Sequence, residues 1–110
     1  MRLKSEIWVH AFLRSNEVAG RFGAVLRKGA AEAGAVYVVI NHLDGTLTVL
    51  GPAPGSAYDD KGDRRFVREF AAPVSWEDAR QKLDRRAGQD TDMWIVEIED
   101  RRGVAGLEIE

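Results

Sequence analysis

Apolar and polar positions along this chain follow two rhythms, and the changes between them mark out its elements. Ile7, Trp8, Ala11, Phe12, Val18 and Ala19 recur with the 3.6-residue period of a helix. Ser5 precedes them as a capping residue and Gly20 follows where a C-terminal glycine belongs, so the spacing predicts an amphipathic helix over residues 6–19. A strand through Ile7, Val9, Ala11 and Leu13 competes, because these positions also alternate. The longer period and the two flanking signals select the helix.

The rhythm then shortens to two. FGAVLRK (22–28) and AVYVVINH (35–42) read as strands joined by GAAEAG (29–34). In HLDGTLTVLG the Asp44-Gly45 pair tolerates positive φ, which predicts a two-residue type I′ turn with Leu43 facing Thr46 and Ile40 facing Val49. GPAPGSAYDDKGD (51–63) has neither period and reads as a long loop. RRFVREF (64–70) is again extended, with Phe66 and Phe70 on one face and Val67 and Glu69 on the other.

A second helix is predicted over residues 76–87. Ser75 is its N-cap, and Asp78 stands three residues on as in a capping box. Trp76, Ala79, Leu83 and Ala87 form its buried line, Asp78 and Lys82 make an i,i+4 pair, and Gly88 ends it. In MWIVEIED a last strand puts Trp94, Val96 and Ile98 on one side and Met93, Ile95, Glu97 and Glu99 on the other. Residues 101–103 turn, and residues 104–110 either add a short edge strand or trail as an acidic tail.

The order helix, three strands, loop, strand, helix, strand predicts one α+β domain over residues 1–110. It is a two-layer arrangement: a mostly antiparallel sheet of about five strands with two amphipathic helices on one face. Trp8, Trp76 and Trp94 all fall on core-facing positions, and one found exposed would become a candidate interface anchor.

Composition narrows the function. The 110 residues contain no Cys, which excludes disulfides, thiolate chemistry and Cys-containing zinc sites. With no apolar run of transmembrane length and no signal-peptide pattern, the expectation is a soluble cytoplasmic protein without a membrane partner. The formal charge of −2 hides an asymmetry, with six basic against two acidic side chains in residues 1–30 and two against seven in residues 89–110. The ends can therefore attract one another, or a partner.

Candidate chemistry is sparse. Asp59, Asp60 and Asp63, and separately Glu97, Glu99 and Asp100, are the residue types that hold Mg²⁺ or Ca²⁺. The first group lacks calcium-loop spacing, and period two sets only Glu97 and Glu99 side by side, so a polar turn and a solvated strand face account for them. His10 and His42 lie on separate elements without a third ligand, and Ser56 sits in PGSAY, which is no nucleophile elbow. GAAEAG lacks the Lys and the following helix of a phosphate-binding loop. No catalytic residue, metal ligand or cofactor is assigned. Two candidate surfaces remain: a recognition loop with Pro52, Pro54, Ser56 and Tyr58, and a basic patch of Arg27, Lys28, Arg64, Arg65 and Arg68 around Phe66.

MRLKSEIWVHAFLR, RKGAAEAGAVYVVI, RRFVREF and DMWIVEIEDRRG together resemble a family of small alphaproteobacterial proteins defined as domain of unknown function 1491. The resemblance covers nearly the whole chain. It implies a bacterial cytoplasmic protein, and it supplies no activity, cofactor, partner or site residue. The residues themselves place first a small non-enzymatic protein-interaction module whose partner is another protein or a second copy. The alternatives are a nucleic-acid-binding protein using the Arg64–Arg68 strand with Arg27 and Lys28, and a small metal-dependent enzyme using Asp59–Asp63 or Glu97–Asp100.

Overall fold

Two runs of consecutive apolar residues decide the architecture. In the computed structural model, which describes residues 3–110, Val36, Val38, Val39 and Ile40 of strand β2 (Val36–Asn41) are all buried. So are Leu47, Val49 and Leu50 of β3 (Leu47–Pro52). Successive strand side chains point to opposite faces, so these strands need cover on both sides. Helix α1 (Ser5–Val18) supplies one cover: its Val9 and Phe12 pack with Val36, Val38 and Ile40. Helix α2 (Trp76–Gln89) supplies the other, with Ala79 and Leu83 against Val39, Leu47 and Val49.

The helices therefore lie on opposite faces of the sheet, which corrects the expectation of both on one face in two layers. The unbroken VYVVI run carries the physical reason, since one covering layer would leave half of it in water.

The α+β class and the mostly antiparallel five-stranded sheet are as the sequence predicts. Strands β1 (Gly23–Arg27), β4 (Phe66–Arg68) and β5 (Trp94–Glu99) complete an open sheet in the order β1-β5-β2-β3-β4. Neighbours are antiparallel except β2 and β5, which run parallel. The radius of gyration, 12.9 Å, matches the roughly 13 Å of a compact chain of this length.

Helix ends show where local signals hold. Gly20, at φ +83°, closes α1: Arg21 N–H donates to Asn16 O and Gly20 N–H to Glu17 O, the paired bonds of a Schellman ending. Ser5, however, is inside the helix rather than its cap. The N–H groups of Ser5 and Glu6 donate instead to Glu32 O and Ala31 O of the β1–β2 connection, while Ser5 Oγ donates to Gly34 O. In α2, Ser75 caps as predicted, accepting from Asp78 N–H at 3.2 Å. The helix nevertheless runs through Gly88 to Gln89, and Lys82 turns from Asp78 to donate to Glu69 O above the Phe70 ring.

Three further expectations shift. The β2–β3 hairpin pairs Ile40 with Thr48 rather than with Val49, closing on a three-residue loop in which Leu43 (φ 60°) and Gly45 (φ 88°) take left-handed conformations. Asn41 Oδ1 accepts from Leu43 N–H and Asp44 Oδ1 from Thr46 N–H, so side chains replace the missing ladder bonds. β4 ends at Arg68, and the bend beyond it carries Phe70 to the α2 face while Phe66 stays on the α1 face. Trp76, placed on the buried line by its spacing, is 41% exposed at the start of α2.

Candidate functional site

The polar candidates come first, because the sequence singles them out. In the 51–63 loop, Pro52 ends β3, and Ser56 Oγ donates to Tyr58 O. Pro54 is exposed. The loop is tied down by arginines: Arg65 donates to Ser56 O and makes a two-pronged pair with the Glu110 carboxylate at 2.5 and 2.6 Å. Arg64 lies between the rings of Tyr58 and Trp8, 5.3 and 5.6 Å from their centres, and donates to Ser5 Oγ. A chain of contacts thus runs from the loop through Arg64 and Ser5 to Gly34, and burial lowers the Arg64 pKa.

Trp8, Asp59, Asp60, Asp63, Arg64 and Glu108 are among the residues lining an open cavity of about 520 Å³. One of its carboxylates serves the loop's own shape: Asp59 Oδ1 accepts the N–H groups of Lys61 and Asp63.

The basic candidates do not meet. Arg27 and Lys28 belong to β1 or its end, Arg64, Arg65 and Arg68 to β4 or its approach, and these are the two opposite edges of the sheet. Four strand spacings separate them, about 19 Å. Nor do the acidic candidates converge. Glu97 accepts from Asn41 Nδ2 at 2.9 Å, whereas Asp100 accepts the N–H groups of Arg102, Gly103 and Ala105. Burial raises the Asp100 pKa, but those three donors and nearby Arg21 outweigh it and hold the carboxyl below its ordinary value.

Among the described residues no three His, Asp or Glu side chains are placed to hold a metal ion. His42 bridges Asp100 O and Thr48 Oγ1 at 2.8 and 2.7 Å, a structural tie in which Nδ1 must donate because a carbonyl only accepts. His10 is exposed on α1.

The conspicuous surface is one the sequence did not mark. On the α1 face, α1 packs over β1 and β5, while Ala105, Leu107 and Ile109 of the C-terminal segment join the same core as Leu50 and Phe66. On the other face, α2 packs against β3, and Phe70 and Val74 extend that cover. Among the described residues, no element covers the β1–β5 half of this second face. Gly23 faces Leu13 of α1, so its neighbours Phe22 and Ala24 point to the second face, beside Glu99 and Glu97. Phe22 is 66% exposed and Leu26 47%. The alternation of Glu97 and Glu99 with apolar residues was the available sign that this half-face is wet; the exposure of Phe22 and Leu26 had none.

The edges differ as well. The β4 edge is joined by the C-terminal segment, where Ile109 bridges Phe66 and Glu110 N–H donates to Phe66 O. No described strand pairs with the outer side of β1. Among the described residues, no helix is long and apolar enough to cross a membrane.

Residues 3–108 match the family described as "Protein of unknown function (DUF1491)". No curated protein matches the chain. A protein of A. tumefaciens with a solution structure is 43% identical, over 91% of this chain and 87% of its own, with a TM-score of 0.79. A crystal structure of a DUF1491 family protein from Caulobacter crescentus is 35% identical over 98% and 99% of the two chains, with a TM-score of 0.80. An NMR structure of a DUF1491 family protein from the same organism is 34% identical, over 100% and 98%, with a TM-score of 0.78.

Proposed function

This chain belongs to the DUF1491 family, and from that premise we propose that it is a small non-enzymatic protein-interaction module of the bacterial cytoplasm, docking its partner on the β1 side of the sheet. The observation that carries this reading is the exposure of Phe22 and Leu26 beside a sheet half-face that no element of the described chain covers. Large apolar side chains that share one uncovered face mark an interface more strongly than ones scattered singly. Of the polar candidates, Arg64, Arg65 and Asp100 are engaged within the fold.

The test is capture from a lysate of the native organism, treated with nuclease, on immobilised wild-type protein and on Phe22→Asp, Leu26→Asp and Trp76→Asp variants. The expected result is a protein retained by the wild type and by Trp76→Asp but lost from the first two. Retention of the same protein by all four, or its loss from Trp76→Asp alone, moves the interface elsewhere, in the second case to the exposed Trp76 that starts α2. Absence of any retained protein, or loss of every retained species on nuclease treatment, removes the reading.

A further inference from the structure

The bare β1–β5 half-face has the dimensions and chemistry of a seat for one more helix. Five strands at about 4.8 Å spacing span about 19 Å between outer axes, while a helix with its side chains is about 10–12 Å across. Two covering elements per face are therefore needed. The α1 face has them in α1 and the 104–110 segment, but among the described residues the other face has only α2 and its flanking bend.

What remains is a floor of Phe22, Ala24 and Ile95, with Leu26 and Arg27 at the bulge opposite Ile95 and with Glu97 and Glu99 set into it. Both carboxylates are half-buried, and neither has a cationic partner among the described residues. Glu97 accepts only the neutral Asn41 amide among the bonds described. Carboxylates in partly apolar surroundings gain most from a cation brought to them as water leaves.

From this geometry we infer that the half-face receives an amphipathic α-helix of a partner protein, carrying Lys or Arg where it crosses Glu97 and Glu99. This rests on the interaction-module reading and specifies its surface and its partner. A helix is favoured over an added strand by the edge itself. The β1–β5 register shifts between Val25 and Arg27, so Leu26 and Arg27 together oppose Ile95. A bulge of this kind, followed by the charges of Arg27 and Lys28, breaks the regular row of backbone groups that strand addition needs. On the face, Arg27 is drawn to the entrance of β5, where it donates to Thr91 O, and Glu97 and Glu99 lie further along the strand.

The experiment uses two synthetic 14-residue helical peptides with Leu at i, i+3, i+4 and i+7, one with Lys and one with Glu at the flanking positions, titrated into ¹⁵N-labelled full-length protein. The expected result is binding of the Lys peptide, with shifts confined to residues 22–27 and 95–99, and about tenfold weaker binding to the Glu97→Lys/Glu99→Lys variant. That variant should in turn prefer the Glu peptide. No binding, shifts elsewhere, or a preference that the charge reversal leaves unchanged overturns the inference. A Phe22-dependent dimer in sedimentation equilibrium overturns it in favour of a second copy as occupant. In each of these cases the lysate capture still decides separately whether the chain is an interaction module.

Discussion

Gly34 and Gly88 are the same residue type with opposite prospects. A Cβ on Gly34 would stand 2.1 Å from Asp92 O, because the β1–β2 connection lies against the backbone entering β5. Gly34→Ala is therefore expected to lower stability by about 2–3 kcal/mol in urea denaturation. Gly88 has open space around it inside α2, so Gly88→Ala should raise stability by about 0.5–1 kcal/mol. The sequence marks Gly88 as a helix stop and says nothing special of Gly34, since a close approach between residues 34 and 92 leaves no trace in either neighbourhood. Asp100 gives a pH test. Its depressed carboxyl pKa means that its stabilisation is present above the unfolded value, about 3.9, and is lost as pH falls through the lower folded value. Asp100→Asn should consequently be less stable than wild type at pH 7, with the gap narrowing below about pH 4, as read by urea midpoints at the two pH values.

At the scale of elements, the two helices differ in how much of their definition is local. Ser75 is legible because its partner, Asp78 N–H, is three residues away, and Ser75→Ala should cost about 1 kcal/mol. The start of α1 was read as the same device, yet its N–H groups are met by carbonyls of residues 31 and 32, and Ser5 Oγ links Gly34 to Arg64 across sequence separations of 29 and 59. Ser5→Ala should thus cost about 1–2 kcal/mol and also speed amide exchange in the 51–63 loop, an effect Ser75→Ala would not have. Exchange measured by mass spectrometry on both variants separates the two cases. The hairpin register was missed by one position for a related reason. Asp44-Gly45 does announce a turn, but Asn41 and Asp44 side chains let the chain close on three residues instead of two.

For the whole molecule, strand existence and order along the chain were legible from periodicity, whereas sidedness was not. Burial on both faces was implied by VYVVI, but which helix covers which face depends on the parallel pairing of β2 with β5, and nothing local to either strand specifies it. The bare half-face escaped for the same reason: FGAVLRK reads as a strand, and which of its side chains are covered is not set until the position of α2 is known. That arrangement also bears on how the protein is made. β5, near the end of the chain, occupies the middle of the sheet, between β1 and β2. As the polypeptide leaves the ribosome, β2 and β3 can close as a local hairpin, but β1 has no neighbour to join until residues 94–99 emerge. Assembly of the sheet is thus a late, long-range event of high contact order, and a nascent chain stalled before residue 94 presents the open edges of β1 and β2 to whatever chaperone is waiting.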